Sequence, residues 1–466
     1  MQQATSDSIH DEPPTTLGPD PGSADEPVTL PEGALSKGCY VAGDSTPFQT
    51  VLFQSWCVEW AEAGHGFCYL HPTGPAPIKL LERLPEDRLD DVVWIDFNRG
   101  PYSDYDLEAR QRVQIDPYEV PEQDPVLGGF DPVGQRINAV LEMAREQSEL
   151  YNWNVARIIS AVLPSVLQDE VTAELNRLDA LDRALSRLGP RLSIESTIRC
   201  LGLERDDSTV RQLRAAALHS KADVNSARRL LTSHRNGHYG HPVCGPTTYD
   251  VGRALEEDHI VLVTADIPEL RQRSPRRPKQ LGARLFVAAI CCRLLAAAQP
   301  PGDVTQAFPV VVDGVRPFVA DDGALLAALL EYATQTPLAP VFGGPPAPFL
   351  RDRLETAITE HTASRVAIPD PDLAIDPDGL LMEAFQADPG RPDYWDDPMT
   401  QVDPRVNTPP GEPPQGYLAT TAAVGSEDRP QAHAYQPSPP PEVRHDEVTV
   451  TAAIDSSVRR HGAEPP

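Results

Sequence analysis

Lysine is nearly missing from this 466-residue chain: Lys37, Lys79, Lys221 and Lys279 are the only four, and arginine supplies the remaining cations. Aromatic residues are sparse at 6%. Cysteine never falls in a Cys-x-x-Cys pair. Cys39, Cys57, Cys68, Cys200, Cys244, Cys291 and Cys292 are scattered, most in apolar runs, which argues against a zinc site or disulfide frame and predicts small buried residues. No apolar run is long enough to span a bilayer; the longest, Phe286 to Ala298, is broken by Arg293. Residues 1–31 lack the charged-then-apolar pattern of a signal peptide. These absences predict a cytoplasmic protein without direct membrane insertion.

Acidic charge and proline are abundant instead. The formal net charge is −29, and the 50 prolines crowd toward the two ends. A Lys-poor acidic surface stays hydrated in concentrated salt and resembles that of proteins from halophilic archaea. Such a surface repels nucleic acid, and salt weakens phosphate contacts further. Any DNA contact therefore needs a local basic element. Arg271, Arg273, Arg276, Arg277 and Lys279 form the one such cluster, suited to phosphate, DNA or an acidic partner.

The periodicity divides the chain. Residues 1–32 and 385–466, rich in proline and acid, are expected to be disordered tails. Residues 33–132 alternate short apolar runs (38–42, 67–71, 92–96) with helical spacing in Val51–Ala63 and Ile78–Leu84, a βαβ pattern that implies a parallel sheet. From 133 to 240 the apolar period is helical almost throughout, an inserted all-α domain. Strand signals return in 241–384, at 259–264, 308–313 and 365–368. Helices are expected between and after them, at 281–298, 324–332 and 350–361.

Gly43-Asp44-Ser45-Thr46-Pro47-Phe48-Gln49-Thr50 lies between a strand and an amphipathic helix, the setting of a phosphate-binding G-x-x-x-x-G-K-[ST] loop. Gly43 and Thr50 are in register, but Phe48 replaces the second glycine and Gln49 the lysine. Phe48 adds bulk where backbone approaches phosphate, and Gln49 lacks the charge that faces the β- and γ-phosphates. Thr50 keeps a hydroxyl for magnesium, and the helix N-terminus keeps its amides. Weak ATP and magnesium binding survives these losses; efficient hydrolysis does not.

Downstream stand Ala63-Gly64-His65-Gly66, then His71-Pro72-Thr73-Gly74-Pro75, then LLERLPEDRLDDVVWID from Leu80 to Asp96. This succession resembles the P-loop DNA-transfer ATPases of conjugation and type IV secretion, where "A-G-H-G", "D-P-x-G-D" and "L-L-E-R-I-P-E-x-R-x-D-D-V-x-x-x-D" follow the phosphate loop. The resemblance implies a RecA-like α/β P-loop core with the helical domain inserted. It also implies that FPVVVDG is the Walker B strand, with Asp313 at the magnesium position and Gly314 where the water-polarising Glu belongs. His71 and Pro75 replace both acids of the second motif. The expectation is a catalytically degenerate, non-hydrolysing subunit or scaffold with no required cofactor, assembling with an active ATPase or in a hexamer. Two alternatives are a motor completed by partner subunits and a DNA-binding accessory acting through the basic cluster. The histidines His234, His238 and His241 sit in a Gly-rich stretch read as surface loop. Asp372, Asp376 and Asp378 lack the bidentate Glu of a calcium loop.

Overall fold

A computed structural model describes residues 12–20, 23–31, 33–43, 47–72, 75–96, 113–116, 152–168, 185–186, 220–236, 247–264, 281–298, 306–315, 318, 323–333, 335–345, 350, 352–367, 416–420, 431–435 and 439–462. Two compact units are distinguished. One comprises residues 1–94, 252–264 and 297–457, the other 95–251, 265–296 and 458–466.

In chain order the described elements start with a hairpin, β1 (Thr16–Asp20) and β2 (Ser23–Thr29), antiparallel. Then come β3 (Cys39–Ala42), α1 (Pro47–Glu62), β4 (Phe67–His71), α2 (Pro75–Leu81), a 3-10 turn (Glu86–Asp91) and β5 (Val92–Asp96). Helices α3 (Trp153–Gln168) and α4 (Lys221–Asn236) follow, then α5 (Arg253–Glu257), β6 (Ile260–Thr264), α6 (Leu281–Ala297) and β7 (Phe308–Asp313). The remainder is α7 (Ala324–Ala333), β8 (Leu338–Gly344), α8 (Asp352–His361), β9 (Ser364–Ala367), β10 (Gly416–Thr420), β11 (Gln431–Tyr435) and α9 (Glu447–His461).

Nine strands form one sheet in the order β11-β10-β9-β3-β8-β7-β4-β6-β5. The pairs β9–β3, β3–β8, β8–β7, β7–β4 and β4–β6 are parallel, whereas β10 and β11 continue the sheet antiparallel. This is a RecA-like P-loop core. Its central strands β3, β4, β6, β7 and β8 are buried at every position, the reason they read as continuous apolar runs. Strand β8, between β3 and β7, was not anticipated: Pro340 and two terminal glycines in LAPVFGG make it read as a breaker.

Parts of both stretches expected as tails are ordered. The N-terminal hairpin is fastened to α1. Glu59 accepts the Thr16 amide at 2.8 Å and its hydroxyl at 2.7 Å. Trp56 Nε1 donates to Thr16 O at 2.7 Å and Trp60 Nε1 to Thr15 Oγ1 at 2.9 Å. Both indoles are fully buried, so their N–H groups need partners, and a polar hairpin rich in carbonyls and hydroxyls supplies them. In the C-terminal stretch, β10 and β11 extend the sheet and α9 buries Val450, Ala453 and Ile454. Proline and acid averaged over that whole stretch conceal a local i, i+3, i+4 apolar stripe.

In the second unit, α3 and α4 meet at their N-termini, where Asn152 and Asn154 donate to the Asp223 carboxylate at 3.0 and 3.3 Å. Arg293 on α6 is buried and held by Asp250 at 3.2 Å and the Thr247 hydroxyl at 3.3 Å. Apart from residues 185–186, the rest of the expected helical insertion lies outside the described residues.

Candidate functional site

Open parallel sheets place ligands at the C-terminal ends of their strands, and the sequence-derived residues converge there. Asp313 ends β7, buried at 2% exposure and in register with Gly343 of β8. Ala42 ends β3 in register with Gly344. The Gly43 amide then donates to the Gly344 carbonyl at 2.9 Å as the chain leaves the sheet. Helix α1 starts at Pro47, whose locked φ and absent N–H suit a first helical position. That start places Phe48, Gln49 and Thr50 in the first turn: Phe48 and Gln49 are buried and Thr50 half-buried.

Gln49 turns toward Asp313. Its Nε2 donates to Oδ1 at 3.4 Å, while the Tyr69 hydroxyl donates to Oδ2 at 2.8 Å. His71 Nε2 lies 3.5 Å from the same Oδ2. Tyr69 and His71 are alternate residues of β4 and share a face; their rings stack at 6.1 Å with 22° between planes. Burial, then the Asp313 charge and the hydrogen bond to it, push the Tyr69 phenol well up, so it remains a donor. Burial first, then Asp313 and Cys68, likewise raise the Cys57 thiol, which keeps it protonated and unreactive.

Space for Gln49 is made by β8. A Cβ on Gly343 would lie 1.7 Å from Gln49 Nε2 and 2.5 Å from Phe53 Cε2, so only glycine lets the amide lie across this strand toward β7. Gly314 has φ +84°, a left-handed turn in which a side chain is strained. A glutamate at 314 would need a different backbone as well as a different codon. A magnesium nucleotide calls for a cation over its phosphates, an open glycine turn and an acidic pair. Position 49 offers a neutral amide already directed at Asp313, 48 a buried phenyl ring, and 314 no side chain. These residues do not fit that group.

The basic cluster Arg271, Arg273, Arg276, Arg277 and Lys279 lies outside the described residues, as do His238, His241 and the acidic triplet at 372, 376 and 378. Of His234 only the backbone, in α4, is described. Among the described residues no group of three His, Cys, Asp or Glu side chains could hold a metal, and no helix is long and apolar enough to cross a membrane.

No family model matches the chain, and no curated protein matches it. Solved structures do. The chain is similar to the plasmid coupling protein TrwB in complex with a non-hydrolysable ATP analogue, at 13% identity and a TM-score of 0.49, covering 90% of this chain and 88% of that one. The same protein with ADP and Mg2+ gives 12% identity and a TM-score of 0.47 over the same shares. An unbound form, the bacterial conjugative coupling protein TrwBdeltaN70, gives 12% and 0.44, covering 76% and 73%. Likeness at this level assigns no residue a role.

The run LLERLPEDRLDD, the longest match to the family pattern, proves architectural. Arg88 is buried and donates to Ala61 O at 3.2 Å, Asp258 O at 2.8 Å and Asp91 Oδ2 at 2.7 Å, tying the end of α1 to the turn before β6. Arg83 Nε donates to Pro441 O at 2.9 Å. Sequence reasoning named neither arginine and missed the pairing of Tyr69 and His71 with Asp313. The i, i+2 spacing of those two on a buried strand was the available signal.

Proposed function

We propose that this chain is a non-hydrolysing subunit or scaffold of a DNA-transfer machine, working in the cytoplasm and using a P-loop ATPase fold as an assembly surface. The reading rests on one observation: Asp313, at the magnesium position of the resemblance, is engaged by Gln49, Tyr69 and His71 of its own chain. Donors that remain fixed on the carboxylate compete with a hydrated metal. Gln49, so directed, brings no charge to face a phosphate, and position 314 brings no carboxylate to polarise an attacking water. The assembly role and the pairing with an active ATPase come from the motif succession between Ala63 and Asp96.

The test is titration of the full chain with labelled ATP and magnesium in molar potassium chloride, with hydrolysis followed in the same samples. No turnover and at most weak binding are expected, unchanged in Asp313→Asn. Turnover abolished by Asp313→Asn would overturn the proposal. Purification from the native host should recover an active DNA-transfer ATPase; its consistent absence would remove the assembly role.

A further inference from the structure

The C-terminal segment grips the first unit at points far from the candidate site. It leaves β11, one edge of the nine-stranded sheet, after Tyr435, and by Ser457 it has reached β5, the opposite edge: the Trp94 amide of β5 donates to Ser457 Oγ at 2.8 Å. Eight inter-strand gaps amount to about 38 Å. On the way, Pro441 O accepts from Arg83, and Glu82 O accepts the amides of Arg444 and His445 at 2.9 and 3.1 Å. His445 Nε2 meets Leu84 O at 2.8 Å, and Arg444 pairs with Glu62. Glu62 ends α1, and Glu82 to Leu84 follow α2. The segment therefore runs past the ends where chains enter the strands, opposite Asp313.

The strand it reaches is VVWID, apolar and β-branched with a single charge at its end. A strand of that composition at a sheet edge is a template for pairing. Its outward N–H at Trp94 is satisfied by one side-chain hydroxyl instead of a main-chain ladder. The cover is held by peripheral bonds and by the buried stripe Val450, Ala453 and Ile454. The Arg444–Glu62 pair is half-exposed and adds little.

We propose that residues 439–461 are an edge guard, and that lifting them frees β5 to pair with β5 of a second copy of this chain. Identical edges meet about a two-fold axis, so the contact is self-complementary and closes as a dimer. The guard is on in the structure, and the free edge is the state it prevents.

The full chain carrying Ile454→Asp tests this, because a charge in the buried stripe undocks α9 while leaving the sheet's own sequence intact. Light scattering over a dilution series should show a self-association constant tightened about tenfold or more over the unaltered chain. The Trp94 amide should remain protected from exchange in the dimer, and an excess of synthetic peptide 439–462 should reverse the dimerisation. Arg83→Ala, which loosens the segment from outside the helix, should shift association the same way by a smaller factor, and it decides the matter if Ile454→Asp loses amide protection in β7. A folded variant with faster Trp94 exchange and no gain in association overturns the proposal, as does an aggregate that the peptide does not reverse.

Discussion

The two ends of the parallel strands differ in how they use polar groups. At the C-terminal ends a carboxylate, a phenol, an imidazole and an amide face one another: Asp313, Tyr69, His71 and Gln49. Their bonds are side chain to side chain, and two of the three separations exceed 3.3 Å. At the entering ends, Arg83 and Arg88 donate mainly to main-chain carbonyls of other elements, at 2.9 Å, 3.2 Å and 2.8 Å. The first arrangement joins side chains to one another; the second ties separate elements together through the main chain.

Breaking the entering end should cost most. Arg88→Ala removes a buried guanidinium and strands the Ala61 and Asp258 carbonyls, with an expected loss of about 3 kcal/mol in denaturant unfolding. Gly343→Ala comes next: its Cβ meets Gln49 and Phe53, an overpacking of about 1–3 kcal/mol. Combined with Gln49→Ala, the two losses should fall short of additive, because removing the amide relieves half of the clash. Additive losses would mean that Gln49 does not occupy the space over β8. Asp313→Ala should cost about 1–2 kcal/mol, since it leaves the buried Tyr69 hydroxyl unpaired. If Asp313→Ala outweighs Arg88→Ala, the contrast between the two ends is wrong.

Much of the core was legible because buried parallel strands are continuous apolar runs: 38–42, 67–71, 92–96, 259–264 and 308–313 all coincide with strands of the sheet. β8 escaped because a proline and two glycines outweigh its apolar residues; Gly343 leaves room for Gln49 and Phe53, and Gly344 for Val315 and Tyr40. The hairpin at Thr16–Thr29 escaped because its order comes from Trp56, Trp60 and Glu59 on α1, none of which local composition can reveal. At the site, Phe48, Gln49 and Gly314 could be read as losses, but their companions could not. The hydrogen-bonded cluster brings together residues from α1, β4 and β7, far apart in the chain. Pairing across a sheet follows from strand order, which the sequence pattern leaves open.

The smallest expected effect concerns the cap of α9 and separates the edge guard from the sheet it covers. Asp446 Oδ1 accepts the Thr449 amide at 2.9 Å and its hydroxyl at 2.8 Å, an N-cap built from one carboxylate. Those bonds, the amide first, hold the Asp446 carboxyl below its usual value. A carboxyl with a depressed folded pKa stabilises the helix fully above its unfolded pKa, near 3.8, and that contribution fades as pH falls through the folded value. Amide exchange in the first turn of α9 should therefore accelerate below about pH 4 beyond the intrinsic rate, while amides of β7 do not change. Asp446→Asn keeps an acceptor at the cap and should remove the acid step while leaving exchange at neutral pH nearly as before. An acid step that persists in Asp446→Asn would assign it to the sheet, and the guard would then have no independent stability to lose.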